Sequence, residues 1–459
     1  MSGRPAAFAP GFNAPSGMAI PGAISGTLPP AVHPFATTLM IFSVLLLTNH
    51  LGRPFEHILV GLRIPAFICG LGIIAGLALG LPAFRTKVGV AFAVFIGWMF
   101  LITPLSTWKG GSVTYLLPFL QFWVILFMIL ACAPNTMRQL MFLVNITAIS
   151  SVINILIAGR FDEQARFNME GTYGNSDDAA ILAGFAIPFW LLLSSRYKFA
   201  LRAPLALCGT LFLFRIIILT GTRSILIALV CLFLAWFLRS KIEYRVVGLM
   251  VVVIGGFAVL ATAPQSVIAR LSTTFEAFSA SPDQVLDEAS QSAAERRELL
   301  KDGILTTLTH PIWGVGPGQF GQYRWSTLGT VNKPKTWFKT HNTYLEVSAD
   351  NGIPGLLIYL FFMWSIYRTI LRVRRATTGQ SSPNLALAFQ FASYMELAWV
   401  FLVTSALFMT MEAHPYMFVL AGFAVAAERL VKTELAKRSD VRSPLPKAPQ
   451  WAPNLIGAR

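Results

Sequence analysis

The sequence predicts an all-α fold, a polytopic transmembrane bundle of about twelve spans with one large periplasmic loop that contains short helices. Three observations carry this. First, 55% of the 459 residues are hydrophobic and only 12% are charged, about half the charge of soluble domains. Second, runs such as "LMIFSVLLL", "FICGLGIIAGLALGL", "LLPFLQFWVILFMILA" and "VVGLMVVVIGGFAVLA" recur along the chain. Each approaches the ~20 apolar residues that cross a bilayer as a helix. Third, a single long polar connection, 263–351, interrupts the pattern.

Residues 1–33 are rich in Pro, Gly and Ala, and their basic start is not followed by an apolar core. They read as a disordered cytoplasmic tail rather than a signal peptide. The expected spans lie near 34–49, 65–82, 88–105, 113–132, 138–158, 178–194, 202–219, 223–239 and 245–262, then 352–371, 386–409 and 414–430. Spans 1–9 thus fill 34–262 and spans 10–12 fill 352–430, with 431–459 as a cytoplasmic tail.

The net charge of +15 reads as cytoplasmic-loop bias, not as nucleic-acid binding. With a cytoplasmic N-terminus, the inside loops hold Arg85, Lys87, Arg138, Arg196, Lys198, Arg202, Arg239, Lys241 and Arg245. They also hold Arg368, Arg372, Arg374, Arg375, Arg429, Lys432, Lys437 and Arg438. The short outside loops carry only Arg53, Arg63, Lys109, Arg160 and Arg166. Both ends therefore face the cytoplasm, and the long loop is external.

Cys69, Cys132, Cys208 and Cys231 fall in apolar runs and read as small buried hydrophobes, not as a disulfide framework or zinc site. No Walker motif, dinucleotide fingerprint or zinc-ligand spacing is present.

Polar residues in this setting are candidates for chemistry. In "ASQSAAERRELLKDGILTTL" the four-residue spacing of Leu300, Ile304 and Leu308 predicts an amphipathic helix, lying against the membrane or the bundle. The same segment carries Arg296 and Arg297, whose guanidinium forks suit phosphate, or simply a solvated face. "HPIWGVGPGQF" then breaks the helix, and its glycines leave backbone N–H groups for either a turn or an anion.

In "THNTYLEVSADNGIPG", helical spacing places His341, Leu345 and Ser348 on one face, with Asn342 and Glu346 as an i,i+4 pair. His341 is suited to general-base work or to a solvated loop. Arg223 lies at the external mouth of a span and Arg215 within apolar surroundings, each facing an anion or snorkelling. Glu396 lies mid-span and needs a partner or a wet cavity. Glu412 and His414 sit at the external end of the last hairpin. Asn175, Asp177 and Asp178 read as helix-start residues.

Three pieces in order resemble the O-antigen ligase/polymerase superfamily: "GTRS", "ERRELLKDGILTTLTHPIWGVGPGQF" and "THNTYLEVSADNGIPGLL". The resemblance covers about 170–420. The sequence departs from the family in having Thr222 before Arg223, where Ser is commoner, and "NSDDAA" at Asn175.

The resemblance implies an O-antigen ligase-like glycosyltransferase in the bacterial inner membrane, working at the periplasmic face without metal, nucleotide or other cofactor. Its partners are an undecaprenyl-diphosphate-linked glycan donor, a glycan or lipid acceptor, and membrane lipids, with no nucleic acid. His341 would be general base or orienter. Arg223 and Arg296 would grip the diphosphate, with Arg215, Asn342, Glu346 and Glu412 as substrate-binding residues. An O-antigen or exopolysaccharide polymerase is the close alternative, and a secondary transporter the more distant one. Transporters show internal repeats and helices broken at mid-depth, and neither is evident here.

Overall fold

A computed structural model describes residues 80–162, 166–169, 175–261, 288–327 and 339–442, with scattered positions at 40–48 and 264–268. The expected 1–33 tail, most of the first two spans, residues 269–287 and 443–459 lie outside the described residues, as does Cys69.

The described chain is mostly helical. A 3-10 turn, Leu81–Arg85, precedes α1 (Lys87–Ile102). Helix α2 (Lys109–Phe119) runs through a π turn at Leu120–Val124 into α3 (Ile125–Cys132). Pro118 lies just before that turn, where its missing N–H weakens the regular ladder. The order continues with α4 (Met137–Ala158), α5 (Ser176–Ser194), α6 (Phe199–Thr220), α7 (Arg223–Arg239) and α8 (Ile242–Ala261). Then come α9 (Glu288–Thr309), α10 (Phe320–Thr327), α11 (Thr343–Thr377), α12 (Pro383–Ser405) and α13 (Pro415–Arg442).

Side-chain caps set several starts. Thr86 accepts from Gly89 N, Thr136 from Gln139 N, Asn175 from Asp178 N and Asn342 from Leu345 N. Each satisfies an N–H that the first helical turn leaves without an intrahelical partner.

Among the described residues, seven helical stretches are long and apolar enough to cross a membrane: Lys87–Leu105, Lys109–Cys132, Met137–Ala158, Ser176–Ser194, Ala200–Thr220, Thr343–Thr377 and Pro383–Ser405. They coincide with seven of the expected spans. The stretches expected at 223–239, 245–262 and 414–430 are helical, as α7, α8 and α13, but fall outside that set.

Three expectations are corrected. The all-α class gains a small antiparallel hairpin, β1 (Gly159–Phe161) with β2 (Phe167–Met169), in register Arg160↔Asn168. Asp162 closes it, accepting from Arg166 N at 2.8 Å and Asn168 Nδ2 at 2.9 Å. The helix expected from 352 begins instead at Thr343, because Asn342 caps it there. The described cysteines are not fully buried: Cys208 is exposed, and Cys132 and Cys231 are half-buried. Cys208 lies on the outward side of α6, one of the helices long and apolar enough to cross a membrane.

Helices α5, α11, α12 and α13 form the middle of the bundle, with α5 on α4, α6 and α12, and α11 on α1, α9, α12 and α13. Aromatic rings fill the centre. Phe92 of α1 meets Phe362 of α11 at 5.0 Å, Phe418 of α13 at 5.2 Å and Phe127 of α3 at 5.3 Å.

The two ends of the bundle differ chemically. At one end, Glu396, 1% exposed, receives Arg239 at 2.7 Å and Arg374 at 2.5 Å. The mid-span acid thus has the cationic partners that burial demands. Nearby, Arg372 meets Glu428 at 2.9 Å, and Arg429 donates to the carbonyls of Cys132 and Pro134. The other end gathers the remaining polar machinery.

Candidate functional site

The site end is built around the kink in α11. Gly352 has φ 71 and ψ 176 inside an otherwise helical run, a conformation open to glycine. The break frees carbonyls, and the loop after α9 takes them up. Val315 N donates to Ala349 O at 2.9 Å, Gly316 N to Asp350 O at 2.9 Å, and Trp98 Nε1 to Asn351 O at 2.8 Å. Ile353 N in turn donates to Pro311 O at 2.8 Å. A Cβ on Gly352 would lie 2.2 Å from Ile312 O, so only glycine allows this close approach.

The glycine-rich loop does not hold free amides for an anion. Gly318, Gln319 and Phe320 N donate to the Asp350 carboxylate at 3.1, 3.0 and 2.7 Å. The backbone concavity is filled from within by an acid of the chain. Asp350 had no assigned role from sequence, since an acid eight residues past Asn342 signals nothing until the loop folds over it.

Two turns before Asp350, the start of α11 is clamped by the α12–α13 connection. Thr343 N donates to Ala406 O at 2.8 Å, Thr343 Oγ1 to Met409 O at 2.5 Å and Asn342 Nδ2 to Leu407 O at 3.0 Å. Thr340 N donates to Glu346 Oε2 at 2.7 Å. Asn342 and Glu346 therefore both hold the start of the helix.

His341 sits between these anchors with φ 51, the one non-glycine positive φ among the described residues. It precedes the helix, so it does not share a face with Leu345 and Ser348 as helical spacing predicted. That face turns to α9 instead: Ser348 and Thr307 hydroxyls meet at 2.9 Å, and Leu345 packs at Gly303. The opposite side of α9 carries the predicted stripe outward, with Leu300, Ile304 and Leu308 exposed.

Arg296 projects from α9 to Asp177, 3.3 Å away at the start of α5. The other Asp177 oxygen accepts from Thr222 Oγ1 at 2.9 Å, and Thr222 immediately precedes Arg223, the first residue of α7. Of the three residues read as helix-start groups, Asn175 caps, whereas Asp177 reaches across to α7 and α9. Asp178 lies 3.8 Å from His414 Nε2. Arg166 joins the same corner by donating to Thr220 O at 3.2 Å and to Ser176 Oγ. Arg215 is half-buried in the last two turns of α6.

Lys339, two residues before His341, lies within electrostatic reach of Asp178, His414, Glu346 and Glu412. Sequence reading missed Arg166, Asp177 and Lys339 as members of this group. Their only signal in the sequence was a place near a helix start or in a connecting segment.

Glu412 is 2% exposed and accepts from Asn351 Nδ2 at 3.3 Å. Burial, reinforced by the nearby Glu346 carboxylate, pushes its pKa up to about 8, against weaker pulls from the Asn351 and Tyr115 hydrogen bonds and Lys339. It lies beneath the site, not at its mouth.

Fold and site together define a multi-pass helical membrane protein with an arginine- and histidine-bearing polar cap at one end of its bundle. Residues 208–360, a third of the chain, match the family described as O-antigen ligase, and this match supports the O-antigen ligase superfamily. The matched segment contains Arg215, Arg223, Arg296, His341, Asn342 and Glu346; Glu412 lies beyond it. No curated protein matches the chain.

Proposed function

We propose that the protein transfers a saccharide from an undecaprenyl-diphosphate carrier to an acceptor hydroxyl, as an O-antigen ligase-like glycosyltransferase of the bacterial inner membrane. The observation that carries this is the joining of Arg296 and the Arg223-bearing start of α7 by Asp177, at the bundle end where His341 is held. Two arginines borne at one end of the bundle suit a diphosphate. The family match, which spans Arg223, Arg296 and His341, supports a lipid-linked glycan substrate.

In this reading the acceptor oxygen attacks the anomeric carbon, and the bond from that carbon to the diphosphate oxygen breaks. His341 takes or orients the hydroxyl proton. The departing diphosphate keeps the bonding electron pair, and Arg223 and Arg296 stabilise its charge. Arg215 assists from within α6. Asn342 and Glu346 hold His341 in place, and Glu412 supports α11 from below. The site faces the periplasm, both termini are cytoplasmic, and twelve spans complete the topology. The reaction needs neither metal nor nucleotide.

Separate His341→Ala, Arg223→Ala and Arg296→Ala variants test the assignment, read as surface polysaccharide on a gel at matched protein levels. Each should lower transfer by about 10²-fold or more. Normal glycan from all three would sink the catalytic reading. Ligase and polymerase share this donor grip and differ in acceptor. A deletion strain separates them: long unligated chains on the carrier indicate a lost ligase, and single carrier-linked repeat units a lost polymerase.

A further inference from the structure

Asp177 is the second residue of α5, and capping is not its task, because Asn175 already accepts from Asp178 N. Its two oxygens point to different elements. Oδ1 accepts from Thr222 Oγ1 at 2.9 Å and Oδ2 from Arg296 Nη2 at 3.3 Å. One carboxylate therefore ties together the starts of α5 and α7 and the middle of α9, three segments far apart in the chain. Thr222 is buried, while the side chains of Asp177 and Arg296 remain 21% and 35% exposed.

A half-open ion pair of this kind adds little to fold stability, so its consequence is geometric. It aims the Arg296 guanidinium, and it fixes the turn from which Arg223 leaves. It also has the character of a ligand. Asp177 Oδ2 is an anionic oxygen on the guanidinium, as a phosphate oxygen would be. Any anion that comes to Arg296 must compete with it.

We propose that Asp177 is the positioning residue of the anion site: it aims Arg296 until a diphosphate oxygen of the donor takes its place on that guanidinium, and through Thr222 it keeps the start of α7 in place. The inference rests on the lipid-diphosphate reading above. It has two consequences of opposite sign. Without the negative charge, Arg296 is uncontested and binds an anion more tightly. Without the shared anchor, the bound diphosphate is aligned less well and transfer slows. A residue with a structural role only would change the yield of folded protein and leave affinity and rate of the folded fraction alone.

The test uses the full-length protein in lipid nanodiscs, as wild type, Asp177→Asn, Thr222→Val, Arg296→Ala and His341→Ala. Two quantities are measured: affinity for inorganic diphosphate, and the rate of glycan transfer from a polyprenyl-diphosphate donor. D177N keeps the side-chain shape and should bind diphosphate several-fold more tightly while transferring about 10-fold more slowly. T222V removes a hydroxyl but no charge, so it should slow transfer with diphosphate affinity unchanged. Unchanged or weaker diphosphate affinity in D177N overturns the proposal. So does a D177N protein that fails to fold, since little stability is assigned to the pair. Wild-type transfer by both R296A and H341A would instead overturn the lipid-diphosphate reading itself. Loss of transfer in those two, with D177N matching wild type, would remove only the role of Asp177.

Discussion

His341 holds a left-handed backbone that costs a residue with a Cβ about 1–3 kcal/mol. Both neighbours fix it: Thr340 N is taken by Glu346, and Asn342 is tied to Leu345 N and Leu407 O. Strain maintained from both sides points to a use for the side chain that sits there. His341→Gly should therefore relieve the backbone and melt above His341→Ala by about 1 kcal/mol, although both variants lose transfer. Thermal unfolding in detergent alongside a glycan assay checks this. At Glu412 the expectation concerns pH. Its folded-state pKa, near 8, is above the ordinary 4.5, so the folded protein holds a proton that the unfolded chain gives up between those values. That contribution is complete below about pH 4.5 and is lost as pH rises through about 8. Glu412→Gln should flatten this decline, measured as denaturant stability from pH 5 to 9, and an unchanged slope would refute it.

At the scale of elements, the kink in α11 is the structural centre of the site. Loop 311–316 and Trp98 answer the carbonyls that Gly352 exposes, and Asp350 takes three amides of the glycine-rich loop. The two acids and the glycine of "LEVSADNG" thus have separable duties: Glu346 anchors the residue before His341, Asp350 holds the loop, and Gly352 makes room for it. Gly352→Ala meets both a positive φ and a 2.2 Å contact. It should destabilise the protein by more than about 1 kcal/mol, seen as a lowered thermal midpoint in detergent. A neutral result would mean that α11 runs unbroken. The α9 helix was legible from its four-residue apolar spacing, yet spacing could not tell which side packs. Leu299, Gly303 and Thr306 face inward, and the stripe of Leu300, Ile304 and Leu308 faces out.

For the molecule as a whole, the two ends of the bundle differ in their chemistry, and the charge bias of the loops makes a testable statement about which faces the cytoplasm. The end bearing Arg239, Arg374 and Arg429 holds the acids Glu396 and Glu428. The opposite end holds Asp177, Arg296 and the His341 turn. Impermeant thiol labelling tests the orientation in a cysteine-free background. Leu407→Cys, at an exposed position beside the site, should label when only the outer membrane is opened. Gln380→Cys, in the exposed turn between α11 and α12, should label only after the inner membrane is broken. The reverse pattern would invert the topology.

The sequence by itself determined the membrane-bundle class, seven of the spans and the residues His341, Arg223 and Arg296 as candidates. Hydrophobic run length and charge placement are local properties, and a bilayer reads them locally. It also placed a helix start at Asn175, where the side chain meets an amide three residues away. Tertiary structure alone decided that His341 stands before its helix, that the glycine-loop amides are filled by Asp350, and that Asp177 bridges Arg296 to Thr222. The last two depend on hydrogen bonds between residues 30 to 119 positions apart. Nothing in the local pattern of either partner encodes such a bond, because the distance that makes it is set by how the helices pack.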